Sequence, residues 1–199
     1  MTPRPNVEEQ RRSEIIDAAL RCFARDGFGK TSMDAIAQEA GLSKALIYYY
    51  YKSKEEVFEA GFDALILGMT EAFVSGGREG TPSERLRELT KLTIDLGDAS
   101  AELFGMMLEC WALSRRQDSM LSRLRGAFVQ MRRAIARILE DGVAIGEFAP
   151  MDTEQVAAAI LASLDGLWAH WVLDPGAMDP GKATASLVEF LIDGMVKRA

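Results

Sequence analysis

The residues of this chain best suited to chemistry at a surface lie in one stretch, GLSKALIYYYYKSK, residues 41–54. Four consecutive tyrosines, Tyr48 to Tyr51, stand among Lys44, Lys52 and Lys54, with no acid in the stretch. A phenol can set its ring edge against a thymine methyl and its hydroxyl on a phosphate oxygen, while ammonium groups neutralise phosphate charge. The combination fits a nucleic-acid surface. Other chemistries lack their residue sets. His170 is the only histidine and lies in an apolar helical stretch, so a Ser/His/Asp triad has one weak candidate. Cys22 and Cys110 are the only cysteines and are far apart in sequence, too few for a disulfide framework or a zinc cluster. Neither enzymatic activity nor a metal or other cofactor is expected.

The tyrosines need a helix to separate their roles. Successive helical residues lie about 100° apart, so four rings in a row cannot share one face. Ile47 and Tyr51, four apart, are predicted to face the core with Leu42, and Tyr48, Tyr49 and Tyr50 to fan over the remaining surface. Signals upstream supply the support. A helix is predicted from about Val7 to Asp26, with Ile16, Ala19, Leu20 and Phe23 as its buried stripe and Gly27 as its stop. Thr31 to Asp34 has the form of a capping box, followed by Met33, Ile36, Ala37 and Ala40 at helical spacing. Gly41 breaks this short helix, and Ser43 is placed to cap the next, from Lys44 to about Tyr51. Two short helices joined through a glycine turn have the form of a helix-turn-helix, whose second helix enters the DNA major groove.

The remainder also reads as helix. Ser53 to Glu56 is a second capping box. It opens a long helix with a stripe of Phe58, Phe62, Leu65, Ile66, Met69 and Phe73. Gly76 to Gly80 is a break, and Thr81-Pro82-Ser83-Glu84 restarts the chain. Further helices are predicted over Ser83–Gly97, Ser100–Gln117, Ser119–Ile145, Thr153–Leu173 and Lys182–Arg198. The fold class is therefore all-α, about nine helices, with a helix-turn-helix domain at 1–53 and a helical domain at 54–199. Met1 to Asn6 is expected to be a loose arm. The 199 residues are 48% hydrophobic, enough for a sizeable core, and carry a net charge of −7. Residues 1–60 hold nine Lys/Arg and ten Asp/Glu, so DNA binding must depend on the face presented rather than on the total. No signal peptide and no uninterrupted apolar run of about 18 residues is present, so a cytoplasmic location without membrane is expected.

Residues 11–60, and in particular IIDAALRCFARDGFGKTSMDAIAQEAGLSKALIYYYYKSKEEVFEA, resemble the DNA-binding domain of TetR-family transcriptional regulators. The family pattern after the turn is close to S-K-x-x-[LI]-Y-x-x-F-K-[SN]-K. The resemblance implies Lys44, Ala45, Leu46, Tyr48 and Tyr49 at base edges, and Ser32, Tyr50 and Lys54 at phosphates. Two positions depart from the pattern. Tyr51 stands where phenylalanine is usual, so its hydroxyl needs water or a partner. Leu46 stands where a small or hydroxyl residue is frequent, which leaves it apolar contact with a methyl.

The rest of the chain resembles the family's regulatory domain, in which the last two long helices pair with their copies from a second subunit. The residues agree. The apolar arc of Thr153–Leu173 and that of the last helix are each too wide for one buried face. Leu161, Leu164, Trp168, Trp171, Leu187, Phe190, Leu191 and Met195 are the interface expectations, with Gly166 and Gly194 allowing close approach. Phe104, Met107, Leu108, Cys110, Trp111, Phe128, Met131, Trp168 and His170 are candidate linings of an apolar effector cavity. A homodimer on a palindromic double-stranded operator, released by an unidentified small molecule, is the expected function. The alternative from a different class is a helical sensor or adaptor acting through its C-terminal apolar face without DNA.

Overall fold

The computed structural model describes the backbone of residues 7–99, 101–115 and 117–196 and, within them, all side chains except those of 96–99, 101–103, 105 and 106. The expected N-terminal arm, and the helix limits placed at Ser100 and Arg198, lie outside the described residues. Among the described residues there are nine helices and no strand. They are α1 (Val7–Lys30), α2 (Met33–Ala40), α3 (Lys44–Tyr50), α4 (Lys54–Ser75), α5 (Pro82–Ala99), α6 (Ala101–Ser114), α7 (Asp118–Ile145), α8 (Thr153–Leu173) and α9 (Pro180–Met195).

Helix α1 is broken at Gly27, whose φ of 76° and ψ of 158° are non-helical, so the straight segment ends near Asp26 as its sequence predicts. The face that α1 buries is rotated from the expected stripe. Ile15, Ala18, Ala19, Cys22 and Phe23 reach the centre. Ile16 and Leu20 lie half-buried on the flank, where Leu20 abuts Gly61 of α4. Three helices, α2, α4 and α6, pack on α1, and this widens its apolar face.

The capping box expected at Thr31 is shifted by one residue. Ser32 is the N-cap of α2 and accepts from the Ala35 amide at 3.1 Å. Thr31 is buried, and its hydroxyl faces the carbonyl oxygens of Gly27 at 2.9 Å and Cys22 at 3.2 Å. Either hydroxyl suits a cap chemically; the burial of Thr31 beneath the turn decides between them. Gly41 adopts φ 64°, and its amide and that of Leu42 close on Gln38 and Ala37, which ends α2 in the left-handed form that glycine tolerates best.

The domain boundary placed after residue 53 coincides with a cap, since Ser53 accepts from the Glu56 amide at 3.2 Å. Packing nevertheless runs across it. Phe58 of α4 makes edge contacts with Phe23 and Phe28, at ring separations of 5.2 and 4.8 Å. Beyond α4, Thr81 and Glu84 cap α5 reciprocally. Arg85 and Arg87 tie α5 to Asp141 of α7 and Glu189 of α9. The C-terminal core is filled by Phe73, Leu86, Leu89, Met131, Ile135, Leu139, Ile160, Leu164 and Ile192. Side chains of this size each contribute about 1.5–3 kcal/mol when fully buried.

Candidate nucleic-acid interface

Helix α3 has seven residues and would not stand alone. Ser43 caps it by accepting from the Leu46 amide at 3.2 Å. Ile47 is fully buried and Tyr51 nearly so, both on the core of α1 and α2, as their spacing predicts. Anchored by these two and by half-buried Leu42, α3 turns its other side chains outward. Tyr49 is 71% exposed and Tyr48 39%. Lys44 and Ala45 are exposed and Leu46 is partly so. The outer face thus carries Lys44, Ala45, Leu46, Tyr48 and Tyr49 together.

Tyr50 differs from its neighbours. Its ring is half-buried, meets Tyr49 edge-on at 5.1 Å, and lies 5.4 Å from the Arg12 guanidinium. Arg12 also covers the Tyr51 ring at 5.5 Å, and the Tyr51 hydroxyl is the main influence raising the pKa of Arg12. The hydroxyl that departs from the family's phenylalanine therefore meets a cation from α1. No feature of the sequence pattern links Arg12 to these rings, because the contact arises only when α1 and α3 pack.

The lysines are positioned more tightly than their sequence suggests. Lys44 pairs with Asp34 at 2.7 Å, which raises its pKa by hydrogen bonding and by charge. Lys52 donates to the carbonyls of Tyr48 and Tyr49 at 3.0 and 3.3 Å, where a cation suits the C-terminal end of α3. Lys54 points inward. It donates to the Phe28 carbonyl at 2.7 Å and lies 4.3 Å from the centre of the Phe28 ring. Its ammonium holds the turn after Gly27, which is a different task from the phosphate contact expected of it. Ser32 is exposed, and while its oxygen caps α2 its proton stays available to a phosphate.

A second bond fixes the same turn from the other domain. The Phe28 amide donates to Glu109 Oε2 of α6 at 2.9 Å. Phe28 is thus clamped through its carbonyl by α4 and through its amide by α6. Glu109 stands out in sequence only as an acid in an apolar helix, and nothing there reveals its partner.

The expected effector lining is dispersed. Met107, Met131 and Trp168 are buried in the core. Phe104 stacks on Trp168 at 4.7 Å and 13°. Leu108 is half-buried, and His170 is exposed near the end of α8, away from that core. Trp111 and Phe128, 6.1 Å apart, do border a shared cleft. Cys110 is fully buried, and burial pushes its thiol up to about 12, so it is a packing residue. Of the interface expectations, Leu161, Leu164, Trp168 and Met195 are enclosed within the single chain, whereas Trp171, Leu187 and Leu191 are half-buried and Phe190 is 75% exposed.

Comparison with known proteins agrees with this architecture. Residues 15–60 match the family described as bacterial regulatory proteins, tetR family. Residues 82–196 match that described as BetI-type transcriptional repressor, C-terminal. The HTH-type transcriptional regulator BetI of Burkholderia ambifaria is 28% identical over 199 residues, with 96% of each chain covered. That of Burkholderia cenocepacia is 29% identical over 196 residues, again with 96% of each covered. Among solved structures, a TetR transcription regulator from Haloarcula marismortui superposes with a TM-score of 0.85 at 21% identity, covering 95% of this chain and 100% of that one. A transcriptional regulator from Saccharomonospora viridis, in complex with choline, superposes with a TM-score of 0.83 at 22% identity, covering 96% and 100%. With a capped, outward-facing recognition helix and both domains matched, the chain belongs to the TetR family of bacterial transcriptional regulators and carries a BetI-type C-terminal domain.

Proposed function

We propose that the chain acts as a homodimeric repressor that sets α3 of each subunit into successive major grooves of a palindromic operator and is released by a small cationic effector. The observation that carries the DNA reading is the outward face of α3, where Tyr48 and Tyr49 stand free of the core. A two-fold protein meets half-sites about one helical turn, ~34–36 Å, apart. Lys44 would exchange Asp34 for a phosphate or base edge, and Ser32 would donate to a phosphate.

The dimer is supported by α8 and α9. Helix α8 is apolar along most of its length, yet only 28% of its most apolar stretch is buried within the chain. Its outward stripe, Ala159, Ala162, Gly166, His170 and Leu173, consists mainly of small or apolar side chains. On α9, Leu187, Phe190 and Gly194 fall on one side, and at both Gly166 and Gly194 the space outside the backbone is open. Small residues facing outward let helices of two subunits approach closely.

The effector reading rests on the cleft between α6, α7 and α8, about 370 Å³, lined by Trp111, Phe128, Asp165, Gly166 and Ala169. Asp165 has no ion-pair partner among the described residues, and burial pushes its carboxyl up to about 7. Two aromatic faces and an unpaired carboxylate suit a quaternary ammonium such as the choline bound by the Saccharomonospora regulator. Effector binding would shift a two-state equilibrium of the reading heads through α4 and the Phe28 clamp. A full switch from 1:99 to 99:1 needs about 5.5 kcal/mol of preference for one state.

The test is operator selection from random duplexes, followed by fluorescence anisotropy from ~50 to ~200 mM salt. A two-fold symmetric site, affinity falling steeply with salt, and loss of binding on Tyr48→Ala with Tyr49→Ala are expected. Equal affinity of that variant for the selected site would overturn the reading.

A further inference from the structure

A second cleft lies at the opposite end of α4 from the reading head. It is about 440 Å³ and is bordered by Arg78, Arg85, Gln130, Arg133, Arg137 and the Gly76–Gly77 turn. Four guanidinium groups converge there in a chain whose net charge is −7. Arg85 is neutralised by Asp141 at 2.6 Å and also donates to the Gly77 carbonyl. The other three have no carboxylate partner among the described residues. Among the described residues Arg78 makes only long contacts, 3.4 Å, to the Val74 carbonyl at the end of α4. Arg133 and Arg137 are exposed, four residues apart on one face of α7, with no hydrogen bond or ion pair among the described residues. Like charges at that spacing repel on a helix, and Asp141, the acid four residues beyond Arg137, is already taken by Arg85.

We propose that this cleft is an anion-binding site for a small organic phosphate, separate from the cationic-effector cleft. Guanidinium forks match phosphate oxygens two at a time. Arg78 from the α4–α5 turn and Arg133 with Arg137 from α7 would grip the same group from two sides. Val74, Ala134 and Ile138 supply an apolar wall for the rest of the ligand. Operator phosphates are an unsuitable occupant. Helix α4 has 22 residues, so at ~1.5 Å per residue the cleft sits ~33 Å along it from the reading head. A bound phosphate would lock the C-terminal end of α4 onto α7 and so restrict the helix that carries the head.

Isothermal titration of the full chain with inorganic pyrophosphate at low salt tests this, beside two variants of equal net charge. The wild type is expected to bind one pyrophosphate per chain. Arg133→Gln with Arg137→Gln is expected to weaken binding at least ~10-fold, as two charge-assisted contacts are lost. Arg125→Gln with Arg132→Gln, on the same helix outside the cleft, is expected to leave it within about twofold, with thermal melts confirming that both variants fold. Absence of binding by the wild type, or equal weakening by the two variants, overturns the proposal. Choline and operator binding measured without phosphate or pyrophosphate test the proposed function separately, so failure of one reading is distinguishable from failure of the other.

Discussion

The clamp on Phe28 offers the sharpest test of how the two domains communicate. Glu109 of α6 accepts from the Phe28 amide at 2.9 Å, while Lys54 of α4 donates to the Phe28 carbonyl at 2.7 Å. Glu109→Ala removes a hydrogen bond to a charged acceptor and strands a half-buried amide. Such bonds contribute about 1.5–3 kcal/mol net. The clamped conformation loses that amount relative to any conformation in which the head has moved off α6. That is about a 10–150-fold change in the equilibrium between them, the size of a typical allosteric coupling. Glu109→Gln keeps an acceptor without the charge, and about half the effect is expected. Operator affinity is measured by fluorescence anisotropy with and without effector, alongside a melting curve. Affinity should change by at least ~10-fold in the functional state that carries the clamp and much less in the other. A Glu109→Ala protein that melts normally and binds operator within twofold of wild type in both states would refute the mechanism. Gly27 bears on the same site. Its φ of 76° is strained for other residues, and a Cβ there would lie 3.1 Å from Glu109 Oε1.

Three further outcomes are expected. Phe190→Asp places a charge on an exposed apolar position of α9, so the folded chain should run as a monomer in light scattering and bind operator weakly; an unchanged dimer would remove α9 from the interface. Asp165→Asn should alter pH dependence. The carboxyl rises from 3.8 in the unfolded chain to about 7 when folded. Between those values the folded chain holds a proton that the unfolded chain has released, so stability falls as pH climbs through that window. The asparagine variant should lose this slope in melting temperature against pH, and parallel profiles would count against the burial of Asp165. Choline affinity of the wild type should rise as pH passes about 7, since the cation needs the ionised carboxylate.

Much of the recognition element is legible in local sequence because its causes are local. Ser43 and Ser53 cap the helices they precede, Gly41 closes α2, and the four-residue spacing of Ile47 and Tyr51 decides which faces of α3 are hidden. The helix α8 is predicted and found over Thr153–Leu173, since Asp152 caps its start and the Asp174-Pro175-Gly176 turn follows its end. Periodicity and caps act within a few residues, and one chain contains all the information they need.

What only the tertiary structure decided is the partner of each charge and the side of each wide apolar helix. Lys54 sits in sequence as one cation of a cluster, yet it closes on Phe28, 26 residues away, and Glu109 reaches the same residue from 81 away. Leu161, Leu164 and Trp168 are as apolar as Leu173 and Phe190, but the first three face the core and the last two face out. Burial and electrostatic pairing depend on which surfaces meet at a few ångströms. For α8 and α9, hydrophobic nearly all round, no periodicity in the chain distinguishes the face turned to the core from the face left exposed.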